Sequence, residues 1–406
     1  MDFSDRKQGP GDTTRQSLLH GIRVLAWARA IRWVGWGLGE SLIPIFIVTF
    51  SHTYAQMGLF SSMVEIVSLI SLPIIGIWAD RLPARTLVLW ALILYPLVGI
   101  SYFLAGVFGA AVFVVLARAM NGFTWSLENV GIETYYRRAV HHSKIAASLG
   151  FLDTWSNAAW IGAAAAGMLL VSFIPVHYLL LGISPFALIA YLVATRAQKD
   201  SGHALPEGKK RRFIHSYRGT LTEWRSWDSR LRLLSALVLF SSIINAIIDF
   251  FLPIDAYLAG ANLPMVVLLA IFAAVPSLFG YRLGRLVDAR SKFGLISLGL
   301  ATVALVMSGI VIFPQFAFKL AAVFIMGIVL ELFSMVKGSL VTTLGPAATY
   351  GVRGSAFESI ITFGDLTAPL IIGIAIDMLG FSKLSYIISF IAIALGCIYR
   401  IGRWNT

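Results

Sequence analysis

Of the ionisable side chains inside the long apolar stretches of this chain, where a charge is expensive to place, nine are the candidate functional residues. They are Glu40, Glu65, Arg118, Glu128, Asp153, Asp249, Glu331, Glu358 and Asp365. At the centre of a bilayer a charge costs about 2.5–3.5 kcal/mol even on a lenient insertion scale, so a functional role is the first interpretation. Removal from water favours the neutral form of a carboxyl group, which suits a site that binds and releases protons. The predicted chemistry is therefore binding of protons or of small charged solutes.

Several of these residues also have a purely structural interpretation. Glu128 can neutralise Arg118, so that neither residue need touch a solute. Glu65 can be satisfied by two serines on its own helix, and Glu358 and Asp365, which share a helix face, can hold helices together.

The composition indicates an integral membrane protein. Of the 406 residues, 58% are hydrophobic and only 13% are charged, against about 25% charged in soluble domains. Cys397 is the only cysteine, which excludes an intrachain disulfide and a cysteine-rich metal site. The sequence has no Walker loop, no metal-ligand spacing and no nucleophile–base arrangement. We therefore expect no cofactor, no metal and no enzymatic activity.

Twelve apolar runs are each close to the length of about 20 residues that a helix needs to cross the hydrocarbon core. They cover residues 26–50, 55–79, 86–107, 110–134, 145–173, 177–195, 233–258, 263–281, 293–313, 316–340, 354–378 and 384–399. This pattern predicts an all-α integral membrane fold with twelve transmembrane helices in two six-helix, pseudo-symmetric bundles. The predicted parts are a tail (1–25), a first bundle (26–195), a central loop (196–232), a second bundle (233–400) and a short tail (401–406).

The cations are distributed unevenly between the loops. If the N-terminus is cytoplasmic, nearly all loop arginines and lysines are cytoplasmic, and the opposite loops offer only Lys319 and Lys383. This asymmetry follows the positive-inside rule and predicts that both termini are cytoplasmic, in the plasma membrane. It also explains the net charge of +12 by contact with anionic lipids of the inner leaflet, without nucleic acid. We expect a monomer.

The central loop contains a candidate amphipathic helix. Its apolar residues recur at helical spacing and its arginines lie between them: Phe213, Ile214, Tyr217, Leu221, Trp224, Trp227 and Leu231, with Arg211, Arg212, Arg218, Arg225 and Arg230. The favoured interpretation is a helix that lies on the inner membrane face, because arginine and tryptophan suit that interface. A binding site for a cytosolic partner is the alternative.

A short motif follows the second run and recurs about half a chain later. The first copy is Gly76-Ile77-Trp78-Ala79-Asp80-Arg81-Leu82-Pro83-Ala84-Arg85, and the second is Gly284-Arg285-Leu286-Val287-Asp288-Ala289-Arg290. In both, a glycine stands four residues before an aspartate, and cations follow. A repeat at half-length indicates a duplicated membrane unit.

The two sets of six runs, the basic central loop and the Gly76–Arg85 motif together resemble the major facilitator superfamily. The resemblance covers essentially the whole chain. Arg118-x-x-Asn121-Gly122 in the fourth run is similar to the family's Arg-x-x-Gln-Gly motif. The fifth run lacks the proline of the family's antiporter motif, which departs from the pattern of a typical drug antiporter.

The resemblance implies that the first, fourth, seventh and tenth spans line a central cavity. The lining residues are then Glu40, Arg118, Asn121, Glu128, Asn245, Asp249 and Glu331. It also implies a cytoplasmic gating motif of Gly76, Asp80, Arg81, Arg85, Gly284 and Asp288, in which Asp80 meets the start of the eleventh span near Gly354. Gly76 is expected to allow close helix approach.

These observations favour a secondary transporter of a small organic solute by alternating access, with proton-coupled efflux of a cationic or amphipathic compound first. Uptake of an anionic or zwitterionic solute by proton symport is the alternative that Arg118 keeps open. A non-transporting membrane scaffold or sensor with the same fold is the second alternative. Among the carboxylates, Asp249 is the best candidate for proton coupling, because no cation lies within two turns of it on its own helix.

Overall fold

The computed structural model of the protein describes residues 12–139, 145–198, 227, 229–343 and 350–401, which form helices joined by short turns. The six spans of the first half are Asp12–Gly37 continued by Glu40–Leu42 and Ile43–Val48, then Tyr54–Arg81, Ala84–Phe108, Ala111–Ala139, Ile145–Leu170, and Val176–Leu181 with Ile183–Ala194. The six of the second half are Ser229–Ala246 continued by Ile247–Phe251 and Leu252–Leu258, Leu263–Ala274 continued by Val275–Phe279 and Gly280–Ala289, then Lys292–Ile312, Phe316–Thr343, Tyr350–Leu379 and Phe381–Ile401.

The helices have the length and hydropathy that a membrane requires. Among the described residues, nine helices are long and apolar enough to cross a bilayer, and the bent eighth span makes ten. The fourth and fifth helices, of 29 and 26 residues, complete the set of twelve. The predicted all-α membrane fold is confirmed.

Two predicted boundaries need correction. The first helix begins at Asp12, so residues 12–25 are helical rather than a separate tail, and Leu25 is already buried. The seventh span begins at Ser229, four residues before the predicted start. In both places polar residues that favour helices continue the helix beyond the apolar run. Hydropathy alone does not detect such an extension.

The end of the central loop packs against protein. Trp227 is buried, and its ring stacks on that of Phe357 with centroids 4.5 Å apart. Leu231 is also buried, at the start of the seventh span. The predicted position of these two residues on the lipid surface is therefore wrong. The rest of the predicted amphipathic helix lies outside the described residues.

Three spans change their helix geometry or bend along their length. The first span breaks after Gly37 and continues through a 3₁₀ turn, Glu40–Leu42. The seventh contains a π-helical segment, Ile247–Phe251, and the eighth bends by 59°. Irregular backbone at membrane depth is tolerated where it lines a cavity, and π-bulges occur frequently at functional sites. The breaks therefore indicate where a site lies.

The two halves touch on one side of the membrane. Because the chain crosses twelve times, both termini lie on the same side, called here the terminal side, and the opposite side is the far side. On the far side, Ser62 Oγ donates to the carbonyl of Leu366 at 2.7 Å, and the Tyr54 and Phe251 rings lie 6.3 Å apart. On the terminal side, no described atom lies within 4 Å of the Cβ position at Gly76. Among the described residues, these contacts between the ends of the two halves therefore lie on the far side.

Candidate functional site

A cavity of about 840 Å³ lies between the two halves. Six of the seven predicted lining residues border it: Glu40, Arg118, Asn121, Asn245, Asp249 and Glu331. Glu128 is the exception, because it is buried behind the first span. Four tryptophans also contribute to the walls, namely Trp33, Trp36, Trp125 and Trp160. The cavity thus combines aromatic surfaces with charged groups.

The break in the first span positions Glu40. Helix Asp12–Gly37 ends where a Cβ at Gly37 would collide with the carbonyl of Trp160, and Gly167 packs in the same way against Leu38. These contacts bring the fifth span directly against the broken segment. The indole Nε1 of Trp160 then donates to Glu40 Oε2 at 2.7 Å. The carboxylate is held at the cavity wall and is still partly exposed.

The buried cation of the first half is Arg32, which the motif search did not select. Its Nε lies 3.0 Å from Glu128 Oε1 and 2.8 Å from Oε2, and both side chains are 1% exposed. The predicted pairing of Glu128 with Arg118 is therefore wrong. Arg32 and Glu128 are 96 positions apart in the chain, so no local spacing indicates the pair.

Three aromatic rings surround the Arg32 guanidinium. Its central carbon lies 4.7 Å from the ring centroid of Trp33, 5.0 Å from that of Tyr95 and 5.6 Å from that of Trp125. A cation within about 6 Å of an aromatic face is attracted by the ring quadrupole. The rings and the Glu128 carboxylate together offset the cost of burying this charge.

Arg118 has a different environment from the predicted one. Its Nη2 donates to the carbonyl of Ser61 at 2.7 Å, and its Nε donates to the carbonyl of Phe60 at 3.2 Å. The second and fourth spans approach closely at this level, since a Cβ on Gly122 would collide with the backbone of Val64. Arg118 therefore joins these spans, and part of its side chain borders the cavity.

Asp249 lies in the π-helical segment of the seventh span. Its side chain and that of Asn245 both border the cavity and are exposed to it. Glu40 and Asp365 are close enough to Asp249 to interact with it electrostatically. The π-segment thus brings Asp249 near carboxylates from the first and eleventh spans.

Two carboxylates that received a structural interpretation also border the cavity. These are Glu65 on the second span and Asp365 on the eleventh. Ser62, expected to satisfy Glu65, donates across the halves instead. Glu358 is largely exposed, and its Oε1 lies 3.9 Å from Lys337 Nζ. The resemblance placed only the first, fourth, seventh and tenth spans around the cavity. The sequence signal for Glu65 and Asp365 was therefore only that each is a charged residue inside an apolar run.

Glu331 lies on the tenth span, opposite the bend of the eighth. A Cβ placed on Gly280 would come 3.4 Å from Glu331 Oε1. Near this bend, Asn157 of the fifth span donates to Ser277 at 3.2 Å, which is a polar contact between the two halves. Neither Asn157 nor Ser277 stands out in the sequence, although both border the cavity.

The predicted gating motif lies on the terminal side, between the second and third spans. Arg81 is exposed, and Arg85 donates to the carbonyl of Thr195 at the end of the sixth span. The Asp80 side chain lies outside the described part of the chain, as do the surroundings of Gly354. No described atom lies within 4 Å of the Cβ position at Gly76, so the close helix approach there stays a prediction.

The second-half copy of the motif is also at the surface. Asp288 is exposed, and the nearest atom to a Cβ on Gly284 is Met335 Sδ at 3.8 Å. Neither copy of the motif joins the two halves among the described side chains.

Among the described residues, no group of three histidine, cysteine or carboxylate side chains is arranged to hold a metal ion. Several ionisable side chains from different spans border one open cavity. Such an arrangement is suited to reversible binding of a solute or a proton.

The sequence belongs to a known family. Residues 25–364 match the model of the Major Facilitator Superfamily, so the chain is a member of that superfamily and an integral membrane protein with the fold of its secondary transporters. No curated protein sequence matches the chain.

Solved structures support the same fold. A mutant of the nucleoside transporter NupG superposes with a TM-score of 0.75 at 15% identity, covering 94% of this chain and 99% of that one. A mutant of the peptide transporter POT in complex with sulfate superposes with a TM-score of 0.73 at 13% identity, covering 94% of this chain and 95% of that one. A POT family transporter in complex with 5-aminolevulinic acid gives 0.70 at 13%, covering 94% and 96%. At these identities the likeness concerns the fold alone.

Proposed function

We propose that this protein is a proton-coupled exporter of cationic, amphipathic organic solutes that works by alternating access. The observation that carries the proposal is the charge of the cavity. Five carboxylates border it, and only three cations do: Glu40, Glu65, Asp249, Glu331 and Asp365 against Arg32, Arg118 and Lys337. Arg32 is neutralised by Glu128, and Lys337 lies near Glu358. An organic cation is the solute that this charge favours.

The aromatic walls support the same class of solute. Trp33 and Trp125 meet edge to face with centroids 5.7 Å apart, and Trp36 contacts Tyr95 in the same manner. An indole face attracts cations and offers a large apolar surface to a ring-containing compound. A solute with a positive charge and an apolar body would therefore use both features of the cavity.

Asp249 is the proposed proton-binding residue. Its neighbours Glu40 and Asp365 are also acidic, so protonation relieves repulsion within the group. In the conformation open to the terminal side, Asp249 is exposed and can exchange a proton with that compartment. A cationic solute and a proton would compete for the same carboxylates, which couples export of one to import of the other.

The asymmetry between the two sides supports alternating access. The far-side contacts at Tyr54 and Ser62 close one end, whereas on the terminal side no described atom lies within 4 Å of the Cβ position at Gly76. A second conformation that reverses these contacts would expose the cavity to the far side. The Asp80 motif is placed to close the terminal side in that conformation.

The orientation completes the proposal. The excess of cations in the terminal-side loops puts both termini in the cytoplasm of the plasma membrane, against anionic lipids. We propose that a single chain is sufficient for transport, because the cavity is formed within one chain.

The alternatives lack a favouring observation. Uptake of an anionic solute is disfavoured by the excess of carboxylates around the cavity, because Arg32 is paired and Arg118, although charged, already donates to two backbone carbonyls. A scaffold without transport would have no reason to retain charges around an open cavity.

Transport of ethidium, a planar aromatic cation, tests the proposal in liposomes containing the purified protein. An acidic lumen should drive uptake of ethidium as protons leave, and a protonophore should abolish it. Liposomes without protein are the control. Uptake that is independent of the proton gradient, or no uptake of any organic cation in a panel, would refute the proposed function.

A further inference from the structure

The far end of the eleventh span carries a carboxylate that bonds to the other half of the protein. Asp377 Oδ1 accepts the backbone N–H of Tyr54 at 2.9 Å, and Oδ2 accepts that of Ala55 at 2.9 Å. Tyr54 and Ala55 are the first two residues of the second span. We call these three residues the far-side clasp. They join positions more than 320 residues apart and belong to different halves.

The chemistry of the clasp is that of a helix cap supplied from outside the helix. The first N–H groups of a helix have no partner within it, and they carry part of the positive end of the helix dipole. A carboxylate that accepts two of them makes charge-assisted hydrogen bonds, which are about twice as strong as neutral ones. One side chain thus holds the start of a helix in the opposite half.

Glycines allow this close contact. A Cβ on Gly373, one turn before Asp377, would collide with the carbonyl of Tyr54. A Cβ on Gly58 would collide with the carbonyl of Pro369. The second and eleventh spans therefore touch through their backbones over several turns, and the clasp lies at the outer end of this contact.

The clasp can also open without a large cost. Asp377 is exposed, so water can replace its bonds when the halves separate. The second span keeps a cap of its own, because Thr53 Oγ1 accepts the N–H of Gln56 at 3.2 Å within the same half. The helix start is therefore stabilised in both states, and only the bonds between halves differ.

We propose that Asp377 is a gating residue, whose bonds to Tyr54 and Ala55 hold the far side closed and must break in each transport cycle. This inference rests on the alternating-access part of the proposed function. It does not depend on the solute, on the coupling proton or on the orientation in the membrane.

The test measures the far-side separation of the full-length protein in lipid nanodiscs. Spin labels are attached to His52→Cys and Lys383→Cys in a Cys397→Ser background, one label on each half, and their distance distribution is recorded by pulsed electron paramagnetic resonance. Asp377→Ala should raise the ratio of open to closed far-side populations about tenfold, because both bonds are lost. Asp377→Asn should give a smaller shift, since one amide oxygen still accepts a hydrogen bond.

Thr53→Ala is the matched control. It removes a cap from the same helix but no bond between the halves, so the distance distribution should stay that of the parent. An unchanged distribution in Asp377→Ala, or an equal shift in Thr53→Ala, would overturn the proposal.

A cross-link covers the case in which Asp377→Ala does not fold. A disulfide between Ala55→Cys and Asp377→Cys should hold the short distance and stop ethidium transport until a reductant is added. A cross-linked protein that still opens on the far side would overturn the proposal. Since the distances are measured without solute or proton gradient, this result is separate from success or failure of the proposed export.

Discussion

At the scale of single residues, the pair of Arg32 and Glu128 determines which charges are available in the cavity. The pair is buried and cancels its own charge, and the surrounding rings of Trp33, Tyr95 and Trp125 hold the guanidinium in place. A buried pair is rarely a source of net stability, but losing one partner leaves a charge without compensation. The carboxylates available to a solute are therefore the five that border the cavity, and Glu128 is not one of them.

Glu128→Gln is expected to destabilise the protein strongly. The substitution leaves the Arg32 guanidinium buried without a counter-charge, at a cost of about 3–5 kcal/mol. Chemical unfolding in detergent measures the loss. The double variant Arg32→Met with Glu128→Gln should recover part of it, because no unpaired charge remains. A double variant whose loss equals the sum of the two single losses would show that the pair is not coupled.

Asp249→Asn is expected to remove much of the pH dependence of ethidium binding and to hold the affinity near the weaker level of the protonated parent, because the uncharged amide no longer attracts the cation. The amide has the shape of the protonated carboxyl but cannot release a proton. Binding of ethidium to parent and variant is measured across a range of pH around neutrality. The same pH profile in both would exclude Asp249 from proton coupling, and Glu40 would become the next candidate.

At the scale of helices, close backbone contacts decide where the functional groups stand. Gly122 brings the fourth span against Val64, next to the carbonyls that bind Arg118. Gly167 brings the fifth span against Leu38, where the first span breaks before Glu40. The π-helical segment of the seventh span contains both Asp249 and Phe251. Because Phe251 contacts Tyr54 of the far-side clasp, this segment connects the cavity to the clasp.

Gly122→Ala and Gly162→Ala should have opposite effects on stability. A Cβ at position 122 collides with backbone atoms of Val64, so the helices must separate, at about 1–3 kcal/mol. At Gly162 no described atom lies within 4 Å of the Cβ position, so alanine should be neutral or stabilising by up to about 1 kcal/mol. Thermal unfolding of the two variants gives the comparison. Equal stability would contradict the close contact at Gly122.

At the scale of the whole molecule, described contacts of Tyr54 and Ser62 hold the two halves together on the far side, and the proposed cycle requires a conformation in which these contacts separate. The compartment that each side faces is proposed from the loop cations and not from the packing. Positively charged loops of membrane proteins remain in the cytoplasm, and this bias is counted over short loops such as those found here.

A reporter fused after Thr406 should be cytoplasmic. Because the chain crosses the membrane twelve times, a reporter before Met1 should give the same result. Paired alkaline phosphatase and green fluorescent protein fusions measure the location, since the first is active only outside the cytoplasm and the second fluoresces only inside. Phosphatase activity at either terminus would reverse the proposed orientation.

Asp80→Asn should shift the population toward the conformation described here and reduce transport with little loss of folding. In the proposed cycle, Asp80 closes the terminal side, so its neutralisation favours the state open to that side. A thiol reagent added from the terminal side to Ser241→Cys, a cavity position, measures the shift in a Cys397→Ser background. A labelling rate equal to that of the parent would show that Asp80 does not act as a latch.

Much of the fold was predictable, because hydropathy is a local property. The twelve spans follow from runs of apolar residues, and six of the seven cavity residues that the family resemblance implied border the cavity. The predictions that failed concern which side chains contact each other or the cavity. Arg118 was the counter-charge considered for Glu128, because both lie on the fourth span, yet the pairing residue is Arg32 on the first. Glu65 and Asp365 were undervalued, since their access to the cavity depends on how whole helices are tilted.

The sequence by itself determined the class of protein, the number of spans and the inventory of charges within them. Each of these depends on residues that are neighbours in the chain, and burial of apolar helices in lipid does not require a particular packing. Only the tertiary structure decided which charges neutralise each other, where the first and seventh spans break, and that Asp377 caps a helix of the other half. Those features join residues tens to hundreds of positions apart, and a hydrogen bond or an ion pair forms only when packing brings its two ends within about 3–4 Å.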